Sequence, residues 1–286
     1  MKSGKSIFTI CAINFRKWQT DYRIWCIAVL LAVLTAIYVD DMRKSAELIG
    51  AKIPIWIFPF LYSQFHTKLI FMLGVVLMFC NAPFADKNQM FVFMRSGRIK
   101  WLCGQILYIV FASAVYFLFL LIISLLFTVF TGELSLEWGK TLSTLSANSS
   151  LHTMAGANFV DISEKVITFF KPLQAVWFTF LMSWLGGIFL GLLIYLCNFL
   201  TGNRLIGILA SSFLVVICSI IENEGWEKLL PISPISWTTL DNIDVGGLST
   251  NPSFTYCICF FVGIIAALIA TILFFGRKKS VDIKEG

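Results

Sequence analysis

Long apolar runs alternate with short polar connections along this chain. Six of the runs approach the roughly 20 residues that carry a helix across about 30 Å of hydrocarbon. They cover about 24–39, 65–84, 101–130, 173–200, 205–221 and 256–275. The pattern predicts an all-α, polytopic membrane protein with six transmembrane helices, forming one domain over residues 1–286. Residues 5–22 differ. Wound as a helix, Ile7, Phe8, Cys11, Ala12, Phe15, Trp18 and Tyr22 fall on one arc. Thr9, Asn14, Arg16, Lys17, Thr20 and Asp21 fall on the other, with Ile10 and Ile13 out of pattern. That is an interfacial amphipathic helix, with Trp18 and Tyr22 at headgroup level.

The connections are uneven. Asp40, Asp41, Arg43 and Lys44 mark an exit into water after the first run. Residues 53–60 are apolar but short and hold Pro54 and Pro59, which places them in the interface on the same side. Residues 85–100 have an apolar middle, Gln89 to Met94, between Asp86 and Lys87 on one flank and Arg95, Arg98 and Lys100 on the other. A short helix, a turn at Ser96-Gly97 and a basic re-entry are expected there. An exposed apolar patch of this kind needs something to bury against. Residues 229–237 are apolar and punctuated by Pro231 and Pro234. They form either short helices dipping into the leaflet with protein support or a plain surface loop.

Composition agrees with lipid as the solvent. Apolar classes make up 58% and charged residues 13%, where soluble domains carry about a quarter charged. The net charge of +6 suggests no nucleic-acid surface once its placement is considered. The connections 1–23, 85–100, 201–204 and 276–286 hold 14 of the 22 lysines and arginines but only four of the 16 acids. The positive-inside rule makes that side, and so both termini, cytoplasmic. Trp18, Tyr22, Lys100, Trp101, Arg277, Lys278 and Lys279 are the expected anchors at the membrane interface.

Little chemistry is legible. Seven of the eight cysteines lie in or beside apolar runs, Cys11 lies in the amphipathic stretch, and all read as packing residues. Gly139-Lys140-Thr141 ends like a phosphate loop, but Leu134 stands where its first glycine is required. His66 and His152 have no partner at metal-ligand spacing, so no metal site is expected. The six runs as drawn hold no Asp or Glu, which argues against an ion-coupled carrier or a membrane protease. Any work therefore needs an outside energy source. Gly187 and Gly191, and Gly207 and Ser211, are spaced for close helix packing, within the chain or between chains.

Asn81-Ala82-Pro83-Phe84, the run Phe93-Met94-Arg95-Ser96-Gly97-Arg98-Ile99-Lys100-Trp101-Leu102-Cys103-Gly104-Gln105, and Leu230-Pro231-Ile232-Ser233-Pro234 with Trp237 carry a resemblance. Together with the topology they resemble the permease subunit of bacterial ABC-2 type ATP-driven transporters. The resemblance implies the ABC-2 (type V exporter-like) permease fold in a bacterial plasma membrane. It implies two paired permease chains, identical or paralogous, each docked on a separate ABC ATP-binding subunit. ATP and magnesium would be bound by that partner, with no cofactor in this chain. Residues 86–97 would be the coupling helix. Met90, Phe91 and Phe93 would sit in a groove of the ATPase beside Gln89 and Gly97. Lys87, Arg95 and Arg98 would meet its acidic rim or lipid phosphates, and Asp86 belongs to the same coupling segment. The cargo would be a peptide such as a bacteriocin, a lipid or a drug. Two other readings stay open: a stand-alone channel or secondary carrier, and a membrane-embedded enzyme or assembly factor.

Overall fold

A computed structural model describes residues 2–84, 96–130, 132–133, 135–148, 157, 160–244, 247 and 250–278. The protein is all-α and multi-pass. Its longer helices are α1 (Lys2–Arg16), α2 (Tyr22–Ile49), α3 (Phe65–Phe79), α4 (Arg98–Val129), α7 (Pro172–Thr201), α8 (Arg204–Asn223) and α9 (Phe254–Lys278). Two short helices, α5 (Gly139–Ala147) and α6 (Glu164–Phe169), lie in the connection between α4 and α7. Among the described residues, α2, α4, α7, α8 and α9 are long and apolar enough to cross a bilayer.

The ends of these helices follow local chemistry. The Asp21 side chain accepts from the Arg23 backbone N–H and caps α2. Asn203 does the same for α8 through Leu205. α2 and α7 stop at Gly50 and Gly202, both with positive φ, a conformation that costs glycine no Cβ clash. α2 runs ten residues past the expected span. No glycine or proline interrupts 40–49, and Lys44 bridges Asp41 at 2.9 Å and Asp40 at 3.0 Å along the helix. The helix therefore continues past the apolar run, with Met42, Ser45 and Ala46 buried against protein.

α3 departs furthest from expectation. The second expected span, 65–84, is helical only over Phe65–Phe79, 15 residues. Its rise of about 22 Å falls short of a bilayer's roughly 30 Å. Asn81-Ala82-Pro83 ends it, because proline lacks an N–H and the residue before it avoids the α conformation. The preceding turn, Phe58–Tyr62, takes in the end of the stretch 53–60 expected in the interface. It is instead buried against α3, α4 and α7, with Phe60, Leu61 and Tyr62 fully enclosed.

α7 is the hub and touches α3, α4, α8 and α9. Inside the protein, 61% of its apolar stretch is buried, against 11% for α9. Glycines permit this crowding. A Cβ at Gly187 would stand 2.8 Å from Phe117, and one at Gly191 would stand 2.6 Å from Ile109 and 2.9 Å from Phe79. Gly207 of α8 presses on Asn198 of α7, whose Oδ1 accepts its N–H at 2.9 Å. Ser211 is buried one turn further on. Two strands of two residues, β1 (Ile53–Pro54) and β2 (Gly132–Glu133), pair in parallel and tie the connections after α2 and α4 together.

α1 packs along α4, and its buried face is rotated from the expected arc. Ile10, Cys11 and Asn14 are buried while Phe8 and Ala12 are exposed. Gly104 admits the contact, since a Cβ there would lie 2.7 Å from Ile10. Asn14, expected on the polar arc, donates to Gln105 Oε1 at 2.7 Å inside the packed seam. The helix is oriented by this protein partner as well as by its own amphipathicity.

Candidate functional site

Two polar clusters sit at opposite ends of the bundle. The first surrounds the turn from α1 into α2. Lys17 Nζ donates to the Phe84 carbonyl at 3.1 Å, and Asn198 Nδ2 donates to the Ala82 carbonyl at 2.9 Å. Arg23 grips Asp21 through two contacts, at 3.0 and 2.6 Å, and reaches Cys80 Sγ at 3.0 Å. The Arg23 guanidinium, chiefly by hydrogen bonding, holds the Asp21 carboxyl below its ordinary range. Trp18 Nε1 donates to Tyr108 Oη at 2.8 Å, and Phe84 lies edge-on to Tyr108 at 4.8 Å. A cavity of about 480 Å³ opens here between Asn14, Lys17, Asp21, Arg23, Asn81 and Tyr108.

Of the expected coupling residues, only Gly97 and Arg98 are among those described. Asp86, Lys87, Gln89, Met90, Phe91, Phe93 and Arg95 lie outside the described residues. Gly97 has φ +82° and starts α4, and Arg98 donates to the Arg277 carbonyl of α9 at 3.1 Å. The described ends flanking this segment are thus held, Phe84 by Lys17 and Arg98 by α9. Of the expected interface anchors, Tyr22 and Arg277 are exposed and Lys100 is partly so. Trp18 is half-buried and turned toward Tyr108. Trp101 corrects the expectation: at 2% exposure it packs inside the bundle, where α1 covers the start of α4. The Lys278 side chain and Lys279 are outside the description.

The second cluster was not legible as a site. Lys68, in the first turn of α3, is 1% exposed and ion-pairs with Glu222 in the last turn of α8. Its ammonium also donates to Thr239 Oγ1 at 2.9 Å and to the Ser236 carbonyl at 3.3 Å. Thr239 Oγ1 in turn donates to the Tyr62 carbonyl at 2.9 Å. The segment supplying Ser236 and Thr239 is a series of 3₁₀ turns, Glu227–Ile232, Ser236–Thr238 and Leu240–Asn242. Trp237 pins it. The ring is fully buried, edge-on to Tyr256, Phe260 and Phe261, and its Nε1 donates to the Leu230 carbonyl at 2.7 Å. Ser236 Oγ donates to the Cys218 carbonyl at 2.9 Å. Pro231 thus belongs to a largely exposed 3₁₀ turn, and Pro234 is buried in the link to the next one. Beside the ion pair lies a polar cavity of about 400 Å³.

No family model matches the chain, and no curated protein matches it. The functional reading therefore rests on the residues themselves.

Proposed function

We propose that this chain is the non-catalytic, membrane-spanning subunit of an ATP-driven exporter of the ABC-2 permease kind. It would work as a dimer and take its energy from separate ATP-binding subunits. The observation that carries the reading is the bracketing of residues 85–97. Phe84 is tied to α1 through Lys17, and Arg98 is tied to α9. A partner pushing on an apolar segment bracketed in this way acts on the whole bundle. The basic bias around that segment puts it on the cytoplasmic side, where an ATPase is found. The expected spans carry no acid. Of the acids just past them, Glu222 is 18% exposed and paired with Lys68, and the buried Asp41 is paired with Lys44. Chemistry and ion coupling are thereby disfavoured within this chain.

The test is direct. Phe91→Asp or Phe93→Asp should abolish association with the ATP-binding subunit and stimulation of its turnover, while the helical signal and monodispersity of the purified chain stay unchanged. Transport and ATPase stimulation at the unmutated level in both variants would overturn the assignment.

A further inference from the structure

We propose that the large cavity between the end of α2, the start of α5 and the start of α7 is a binding site for an anionic phospholipid of the surrounding bilayer. The inference needs only that the chain spans a membrane, and it stands apart from the permease reading.

Charge points first to the ligand. The cavity measures about 1820 Å³, and Lys52, Lys140 and Lys171 line it against one acid, Glu137. Among the described residues none of the three ammoniums is in an ion pair, and neither is Glu137. The lining therefore carries an excess of two positive charges. Like charges gathered at one opening repel, and an anion entering among them meets net attraction.

The gathering is built by the fold. The three lysines come from three separate segments of the chain. Thr141 Oγ1 donates to the Lys52 carbonyl at 2.6 Å, which fixes the start of α5 to the connection after α2. Trp138 Nε1 donates to the Phe170 carbonyl at 2.8 Å, which fixes the same start to the residue before Lys171. Thr141 and Trp138 are both buried. The backbone beneath each lysine is thus set by buried hydrogen bonds, while the three side chains stay exposed.

A third observation separates a lipid from a soluble anion. Leu136, Phe169 and Leu173 line the same cavity and are 82%, 48% and 63% exposed. Leu173 opens the apolar stretch of α7, and Trp177, exposed one turn deeper, belongs at the aromatic belt of a membrane surface. The cavity therefore sits at headgroup depth, where lipid phosphates are the anions at hand and acyl chains lie next to them. Its volume exceeds the roughly 300–1,000 Å³ of small-molecule pockets and suits a large amphiphile. The phosphate takes the ammoniums, and the acyl chains cover Leu136, Phe169 and Leu173.

The probe is dioleoyl phosphatidylglycerol, titrated into the full chain in detergent and read as lipid-bound species by native mass spectrometry. Dioleoyl phosphatidylcholine is the chain-matched zwitterion. One lysine beside an anionic headgroup contributes a factor of about five, so an excess of two charges predicts about 10- to 30-fold tighter binding of the first phosphatidylglycerol than of the first phosphatidylcholine. Lys140→Gln should lose about fivefold of the phosphatidylglycerol affinity. Lys52→Gln/Lys140→Gln/Lys171→Gln should lose most of the preference. Both should keep the unmutated helical signal, because the side chains removed are exposed. Lys228→Gln, exposed at the same end of the bundle but outside the cavity, should leave the preference unchanged. Leu136→Asn/Leu173→Asn should weaken both lipids. An undiminished preference in the triple variant would overturn the proposal, as would an equal loss in Lys228→Gln. Competition by glycerol phosphate at about 1 mM would assign the cavity to a soluble anion and overturn it too. Loss of a dimeric species in the triple variant, with lipid binding unchanged, would assign the cavity to a second copy of the chain instead.

Discussion

Glu222→Gln is the most informative single change in this fold. The side chain keeps its length and one acceptor oxygen, but the charge opposite Lys68 disappears. Lys68 then retains Thr239 Oγ1 at 2.9 Å and the Ser236 carbonyl at 3.3 Å, both neutral. At 1% exposure its ammonium cannot turn to water. Removing one partner of a buried ion pair costs about 3–5 kcal/mol, most of it the penalty of the stranded charge. Glu222 is itself 18% exposed and glutamine still accepts a hydrogen bond, which puts the expected loss near the bottom of that range, about 3 kcal/mol. Lys68→Met should cost less, because the carboxylate left behind reaches solvent. The double variant Lys68→Met/Glu222→Gln should be more stable than the sum of the singles predicts, with a coupling of about 1–3 kcal/mol. The assay is unfolding of the purified chain in mixed micelles of rising SDS fraction, read by helical ellipticity. A Glu222→Gln chain within about 0.5 kcal/mol of the unmutated one, or strict additivity in the cycle, would refute the reasoning.

Other outcomes follow from the same structure. Asp21 is held below the ordinary carboxyl value of 3.8 by Arg23. A depressed carboxyl contributes stability that is complete above that value and is lost as pH falls through the folded one. Unfolding midpoints measured from neutral to pH 3 should therefore decline more steeply for the unmutated chain than for Asp21→Asn. Gly191→Leu should destabilise the bundle by about 1–3 kcal/mol or more, since even its Cβ falls 2.6 Å from Ile109. Gly186→Ala, whose Cβ would lie 3.6 Å from Thr238, should be tolerated in the same unfolding assay.

The long helices were legible because their punctuation is local. Gly97 precedes α4, Lys171-Pro172 opens α7, and Gly202-Asn203 separates α7 from α8. Each marks a boundary without reference to the rest of the chain. What was not legible depends on distant partners. Lys68 and Glu222 are 154 residues apart, and Asn14 and Gln105 are 91 apart. No periodicity links such pairs. A weak signal did exist: a lysine three residues inside an apolar run, with an acid closing another run, invites pairing across helices. The rotation of α1 could not be read from its own arc, because Asn14 is polar in water and matched in the seam. The shortness of α3 was written at Pro83, but hydropathy carried the expected span past it.

The pairing of Ile53–Pro54 with Gly132–Glu133 sets a timetable for the newborn chain. Around it, Trp56 Nε1 donates to the Ser135 carbonyl at 2.6 Å, across 79 residues of sequence. A ribosome adding 5–20 residues each second needs roughly 4–16 s to make that stretch. Throughout this interval Ile53 and Trp56 exist while Gly132 and Ser135 do not. A comparable wait applies to Phe58–Tyr62, whose cover on α4 comes somewhat sooner and whose cover on α7 is supplied later still. The connection after α2 is thus an early-made part with late-made partners, and the insertion machinery or the lipid surface has to shelter it until α4 is threaded.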